Sequence, residues 1–148
     1  MKTIFPFAVC IAILLIACGK DKFQTKPTIR IKNINTDVVE QNGNLRITLE
    51  STDKEGDEGD GVITYIRIRT SVTPIPNPGT YDKIDTVNYP VPSFPKTQTK
   101  DIEVSIPYGF LDEHPIKNDT MFFKFTLRDM AGNQSDTISS KTIVAKQE

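Results

Sequence analysis

Beyond residue 27 the apolar side chains return at a period of two, and no stretch sustains the period of a helix. Thr28 to Lys32 alternates apolar and polar positions. Leu45, Ile47 and Leu49 share one face of a second strand, and Ile102, Val104 and Ile106 share one face of another. Val62 to Thr70 reads as a strand with Val62, Ile66 and Ile68 on one face and Tyr65, Arg67 and Arg69 on the other. Met121, Phe123, Phe125 and Leu127 alternate with Phe122, Lys124, Thr126 and Arg128, and a last strand spans Thr137 to Val144. A weaker pattern runs from Ile84 to Tyr89. About seven short strands separated by turn residues predict an all-β sandwich. Its core is expected to hold Ile47, Ile66, Val104, Phe123, Phe125 and Leu127.

The punctuation agrees with this reading. Gln41-Asn42-Gly43-Asn44 is a turn signal. Pro74, Pro76, Pro78, Pro90, Pro92 and Pro95 crowd one segment, and a proline donates no ladder hydrogen bond, so this stretch belongs at a sheet edge or between sheets. Two uses of it stand side by side. The prolines blunt an exposed edge against aggregation, or the segment is a recognition loop carrying Tyr81, Tyr89 and Phe94.

The first residues follow another logic. Met1-Lys2 is followed by an apolar run from Ile4 to Ile16, broken only by Pro6. The run is too short for the roughly 20 helical residues that a bilayer requires, and it reads as the hydrophobic region of a signal peptide. It ends in Leu15-Ile16-Ala17-Cys18-Gly19, which resembles the lipobox of bacterial lipoproteins. That resemblance implies a signal peptide over 1–17, cleavage before Cys18, and a diacylglyceryl group with fatty acyl chains such as palmitate on the Cys18 thiol. Cys10, preceded by Phe7 and Val9 inside the apolar run, fits the motif poorly. Residues 18–27 then form a lipidated N-terminus and polar tether. Gly19 to Pro27 reaches at most ~30 Å when extended. The domain is expected over 28–148. Gly19-Lys20-Asp21-Lys22 resembles the charged export signals of Bacteroidota surface lipoproteins, so the implied address is the outer membrane, facing the periplasm or the cell surface.

Composition narrows the function. Eighteen basic residues stand against nineteen acidic ones, a balance without the basic footprint of a nucleic-acid binder. Both cysteines, Cys10 and Cys18, precede the domain, so it must hold together by its core, without disulfides. Phe123 to Ser135 resembles the closing F–G hairpin of bacterial immunoglobulin-like domains, which often read Asp-x-Ala-Gly-Asn-x-Ser; here the residues are Asp129-Met130-Ala131-Gly132-Asn133-Gln134-Ser135. Gly132 and Asn133 tolerate the positive φ of a tight hairpin. The resemblance implies an immunoglobulin-like or fibronectin type III-like sandwich but hardly a function, since that architecture hosts many roles.

One constellation has metal chemistry in it. Asp53-Lys54-Glu55-Gly56-Asp57-Glu58-Gly59-Asp60-Gly61 alternates oxygen ligands with glycines, as a hard cation such as Ca²⁺ requires. It is not an EF-hand, because counting from Asp53 the sixth position is Glu58 and the twelfth is Thr64. In a sandwich of the implied type the B–C and F–G loops lie at the same end. The candidate ligands are therefore Asp53, Glu55, Asp57, Asp60, Asp129 and Asn133. The alternative is a solvated loop held open by its own like charges.

His114 is the only histidine, and no nucleophile elbow, phosphate loop or zinc motif is present. Asp85-Thr86-Val87, Asp119-Thr120-Met121 and Asp136-Thr137-Ile138 resemble the Asp-Thr-aliphatic O-glycosylation motif of Bacteroidota, which implies Thr86, Thr120 and Thr137 as acceptors. Two functions follow. The first is a membrane-anchored lipoprotein presenting a non-catalytic interaction domain to a protein or glycan partner. The second is a calcium-dependent or carbohydrate-binding accessory of an outer-membrane uptake system.

Overall fold

The computed structural model describes residues 26–147. The expectations at Cys18, the signal peptide and most of the tether lie outside that range. Two β-sheets face each other across an apolar core. β1 (Thr28–Ile34), β3 (Asn44–Thr52) and β6 (Thr99–Pro107) form the smaller sheet in the order β1-β3-β6. The larger sheet has the order β2-β9-β7-β4-β5, from β2 (Val38–Val39), β4 (Val62–Arg69), β5 (Ile84–Pro90), β7 (Asp119–Arg128) and β9 (Ile143–Ala145), with β8 (Ile138–Ser139) also paired to β7. The single helix among the described residues, α1 (Tyr108–Leu111), is one turn between β6 and β7. No helix among the described residues is long and apolar enough to cross a membrane.

Each sheet is built on its apolar alternation. In β3 the side chains of Leu45, Ile47 and Leu49 are fully buried, and opposite them in β6 so are Val104 and Ile106, with Ile102 nearly so. Met121, Phe123, Phe125 and Leu127 of β7 are fully buried from the other side. The rings of Tyr65, Phe123 and Phe125 meet pairwise with centroids 6.2 Å apart. That is within the range of favourable tilted and edge contacts.

The buried face of β4 is opposite to the one expected. Ile63, Tyr65 and Arg67 point into the core, while Val62, Ile66 and Ile68 are only half-buried on the outer face. The register explains why. Tyr65 pairs with Phe125 and Arg67 with Phe123, whose side chains already face inward, and paired residues share a face. Ile66 pairs with Lys124 and Thr86 on the outside.

The proline-rich segment takes the edge position. β5 pairs with β4 only, ends at Pro90, and is followed by a crossing to the other sheet, where β6 begins. The turn before β3 closes with Gly43 N–H donating to Glu40 O at 2.9 Å, and Asn42 has a φ of 61°.

Pairing also fixes the two ends of the sandwich. Thr28, where the chain enters β1, lies opposite Thr52, the last residue of β3, and Val62 at the start of β4 lies opposite Arg128 at the end of β7. The entry point, the 53–61 loop and the 129–137 loop therefore share one end. The 70–83 loop, α1 and the 112–118 segment lie at the other.

Candidate metal centre

The acidic loop is neither open nor uniformly solvated. Where β3 ends, the Asp53 amide donates to Gln98 O at 2.9 Å, which turns the chain back over the sandwich end. Glu58 is fully buried; its carboxylate accepts from Ser51 Oγ at 3.1 Å and from Lys100 Nζ at 2.7 Å. Lys100 also donates to Gly56 O at 3.1 Å. This ion pair pins the middle of the loop to β3 and β6. Two glycines are explained by close approach. Gly56 has a φ of +66° against the Thr97 backbone, and a Cβ on Gly61 would lie 2.4 Å from Arg128 O. The loop is therefore held down by packing and an interior ion pair, not propped apart by repulsion.

Three carboxylates are gathered beside that floor. Asp53, Asp57 and Asp129 each present an oxygen, and these oxygens all lie within 4.8 Å of one another. Asp53 is 2% exposed, and neither of its carboxylate oxygens has a hydrogen-bond partner; Oδ1 of Asp57 is buried and unpartnered as well. The loops are stitched together by Met130 N–H donating to Asp57 O at 3.3 Å. Among the described residues none of the three carboxylates is in a salt bridge.

Asn133 has a supporting position. Its backbone N–H donates to Asp129 Oδ1 at 2.7 Å and its side-chain Nδ2 to Oδ2 at 3.0 Å, which fixes the carboxylate's orientation. Of the two residues expected at positive φ in this hairpin, Gly132 has it, at 90°, and Asn133 does not. Glu55 and Asp60 are exposed and lie outside the cluster.

The electrostatics follow from this crowding. Asp57 is held above the usual carboxylate range, first by the adjacent Asp53 carboxyl, then by burial and by the negative charge of Asp129 and Asp53. A cluster of this kind is relieved by a retained proton or by a cation. With oxygen donors and neither imidazole nor thiolate among them, it matches a hard divalent cation and not a soft one. Access exists on two sides. One open depression is lined by Asp57, Phe94 and Met130, and a second by Asp129, Arg128 and Gly132.

The other candidates fall elsewhere. His114 is buried; its Nδ1 accepts from Ile116 N–H at 3.3 Å, and its backbone N–H donates to Asp119 Oδ2 at 2.7 Å. Thr86 on the edge strand and Thr137 before β8 are exposed, whereas Thr120 is half-buried beside Ser71. Alternation alone assigns Arg67 and Arg69 to the outer face, yet they build the far end of the sandwich. Arg67, 1% exposed, donates to Phe110 O and to Tyr81 O, pairs with Glu113, and lies 4.8 Å over the Phe110 ring. Arg69 pairs with the fully buried Asp119 at 2.5 Å. The acidic residues Glu113 and Asp119, just beyond α1, are the only sequence hint of such partners.

No family model matches the chain, and no curated protein matches it. Among solved structures it is similar to the crystal structure of the PmoD soluble domain from Methylocystis sp. ATCC 49242 (Rockwell), at 15% sequence identity and a TM-score of 0.33, over 81% of this chain and 89% of that one. A likeness that loose assigns no chemistry, and the sandwich topology stands on its own strand pairing.

Proposed function

We propose that this chain is an exported lipoprotein, anchored through Cys18, that presents a non-catalytic β-sandwich to a protein or glycan partner. The observation that carries this reading is the opposition of the two ends. The chain enters at the end that holds the acidic loop, where Lys26 pairs with Asp136 and Pro27 is buried. Most of the large exposed apolar side chains gather at the other end: Val72, 97% exposed, Ile116, 73%, Tyr81, 66%, and Ile84 at the start of β5. A short tether behind a lipid at Cys18 holds the first end close to the membrane and turns the second away from it. Singly exposed apolar side chains are ordinary, but several at one end of a domain fit a contact surface.

The lipobox-like Leu15-Ile16-Ala17-Cys18-Gly19 supports the anchor. Each buried methylene of an acyl chain contributes ~0.8 kcal/mol, and two or more chains hold a protein firmly. The test is mass spectrometry of the mature N-terminal peptide from the membrane fraction. The expected peptide starts at Cys18 and carries the diacylglyceryl mass, and Cys18→Ser releases the protein from membranes. An unmodified peptide, or one starting elsewhere, would contradict the reading.

A further inference from the structure

We infer that the Asp53–Asp57–Asp129 cluster is a Ca²⁺ site that locks the 53–61 loop to the 129–137 loop. An acidic cluster alone would not carry this. The deciding feature is Asp53, a carboxylate 2% exposed whose two oxygens have no hydrogen-bond partner and one of which lies within 4.8 Å of oxygens of Asp57 and Asp129. A buried ionised group without a partner is strongly unfavourable, and the fold gathers three carboxylates here while spending its nearest interior lysine, Lys100, on Glu58. Lys96 and Arg128 line the neighbouring depressions, but among the described residues neither they nor any other basic side chain pairs with the three carboxylates, and the donor atoms are oxygens.

The donor set selects the ion. The three carboxylate oxygens lie within 4.8 Å of one another, close enough for one cation to bind all three. Ca²⁺, which takes six to eight oxygens at about 2.3–2.6 Å in flexible geometry, suits this irregular set from two loops better than Mg²⁺, which demands near-octahedral order at about 2.0–2.1 Å. Supporting groups are in place. Asn133 holds Asp129 through two hydrogen bonds, and the Glu58–Lys100 pair fixes the loop that carries Asp53 and Asp57. The open depressions beside Asp57 and Asp129 leave room for the waters that complete a coordination shell of six to eight. Glu55 and Asp60 are not ligands.

The test is a thermal melt of the full chain in detergent, in EDTA, in a few millimolar CaCl₂, and in equal MgCl₂. With an affinity of about 10⁻⁴ M, as in extracellular modules, Ca²⁺ raises the melting temperature by roughly 5–10 °C. Calorimetric titration with CaCl₂ gives one ion per chain. Asp53→Asn abolishes the shift and Glu55→Gln keeps it. If Asp53→Asn does not fold, Asp57→Asn, at a half-exposed position, replaces it with the same expected loss. The inference is overturned by an equal shift with Mg²⁺, by no shift with Ca²⁺, or by a Ca²⁺ shift that survives the substitution that folds.

Discussion

Asp119 shows how much a single side chain can hold. It is fully buried, yet it accepts hydrogen bonds from the amides of Glu113 at 2.8 Å and His114 at 2.7 Å, from Ser71 Oγ at 3.0 Å, and from Arg69 at 2.5 Å. Burial pushes its carboxyl up, but those donors together outweigh it and leave the group below its ordinary value. Asp119→Asn leaves Arg69 facing a neutral partner in a nearly dry site, at a cost of roughly 3–5 kcal/mol. A depressed folded pKa contributes stability that is complete above the unfolded value, about 3.9, and is lost as pH falls through the folded one. Urea midpoints of the two proteins should therefore differ clearly at pH 7 and draw together only as the pH falls below about 4 and through the folded value. A gap that persists in acid would mean that the side chain acts through shape, not charge.

Asp119 also shows what a short motif hides. In Asp119-Thr120-Met121 the aspartate is consumed by folding, and nothing in three letters distinguishes it from Asp85 or Asp136. Asp53 is similar: its place in an acidic run is visible in the sequence, but its burial depends on Glu58 and Lys100 pairing across 42 positions.

Among the elements, β7 and β4 make an instructive pair. In β7 every second residue from Met121 to Leu127 is apolar and buried; the intervening Lys124, Thr126 and Arg128 make the inward face legible from the chain alone. β4 offers apolar residues on both faces, and its two arginines point the alternation the wrong way. Only its neighbour resolves the choice, because pairing with Phe123 and Phe125 carries Arg67 and Tyr65 inward. An arginine is admitted there because carbonyls from α1 and the 70–83 loop, and Glu113, meet its guanidinium. The energetic consequence is direct. Phe125→Ala should cost roughly 3–5 kcal/mol, the price of a large buried aromatic, whereas Ile66→Ala on the outer face should cost about 1 kcal/mol. Denaturant midpoints of the two variants decide it; equal losses would mean that both faces of β4 are core. The hairpin motif was legible for a related reason, since its signal is local. Asp129 and Asn133 bond each other, Gly132 turns, and Ser135 Oγ accepts from Leu127 N–H at 2.9 Å.

At the scale of the whole molecule, the sandwich carries the acidic loop at the end where the chain enters, and most of its large exposed apolar side chains at the opposite end, Met130 excepted. The number of strands and the layering follow from period-two patterning, and the edge position of β5 from its prolines. The division between the ends does not, because it depends on which loops the pairing register places together. Arg67 ties the 70–83 loop to α1 at the far end, so the exposed Tyr81 and Val72 stand on a supported surface, not on a free flap. Site-specific photocrosslinking in intact cells tests this arrangement most directly, with the crosslinking side chain placed at position 81 or at position 130. Position 81 should yield a discrete protein or glycan adduct, and position 130, beside the entry end, should not. No adduct at position 81, or the same adducts from both ends, would contradict a module that is anchored at one end and binds with the other.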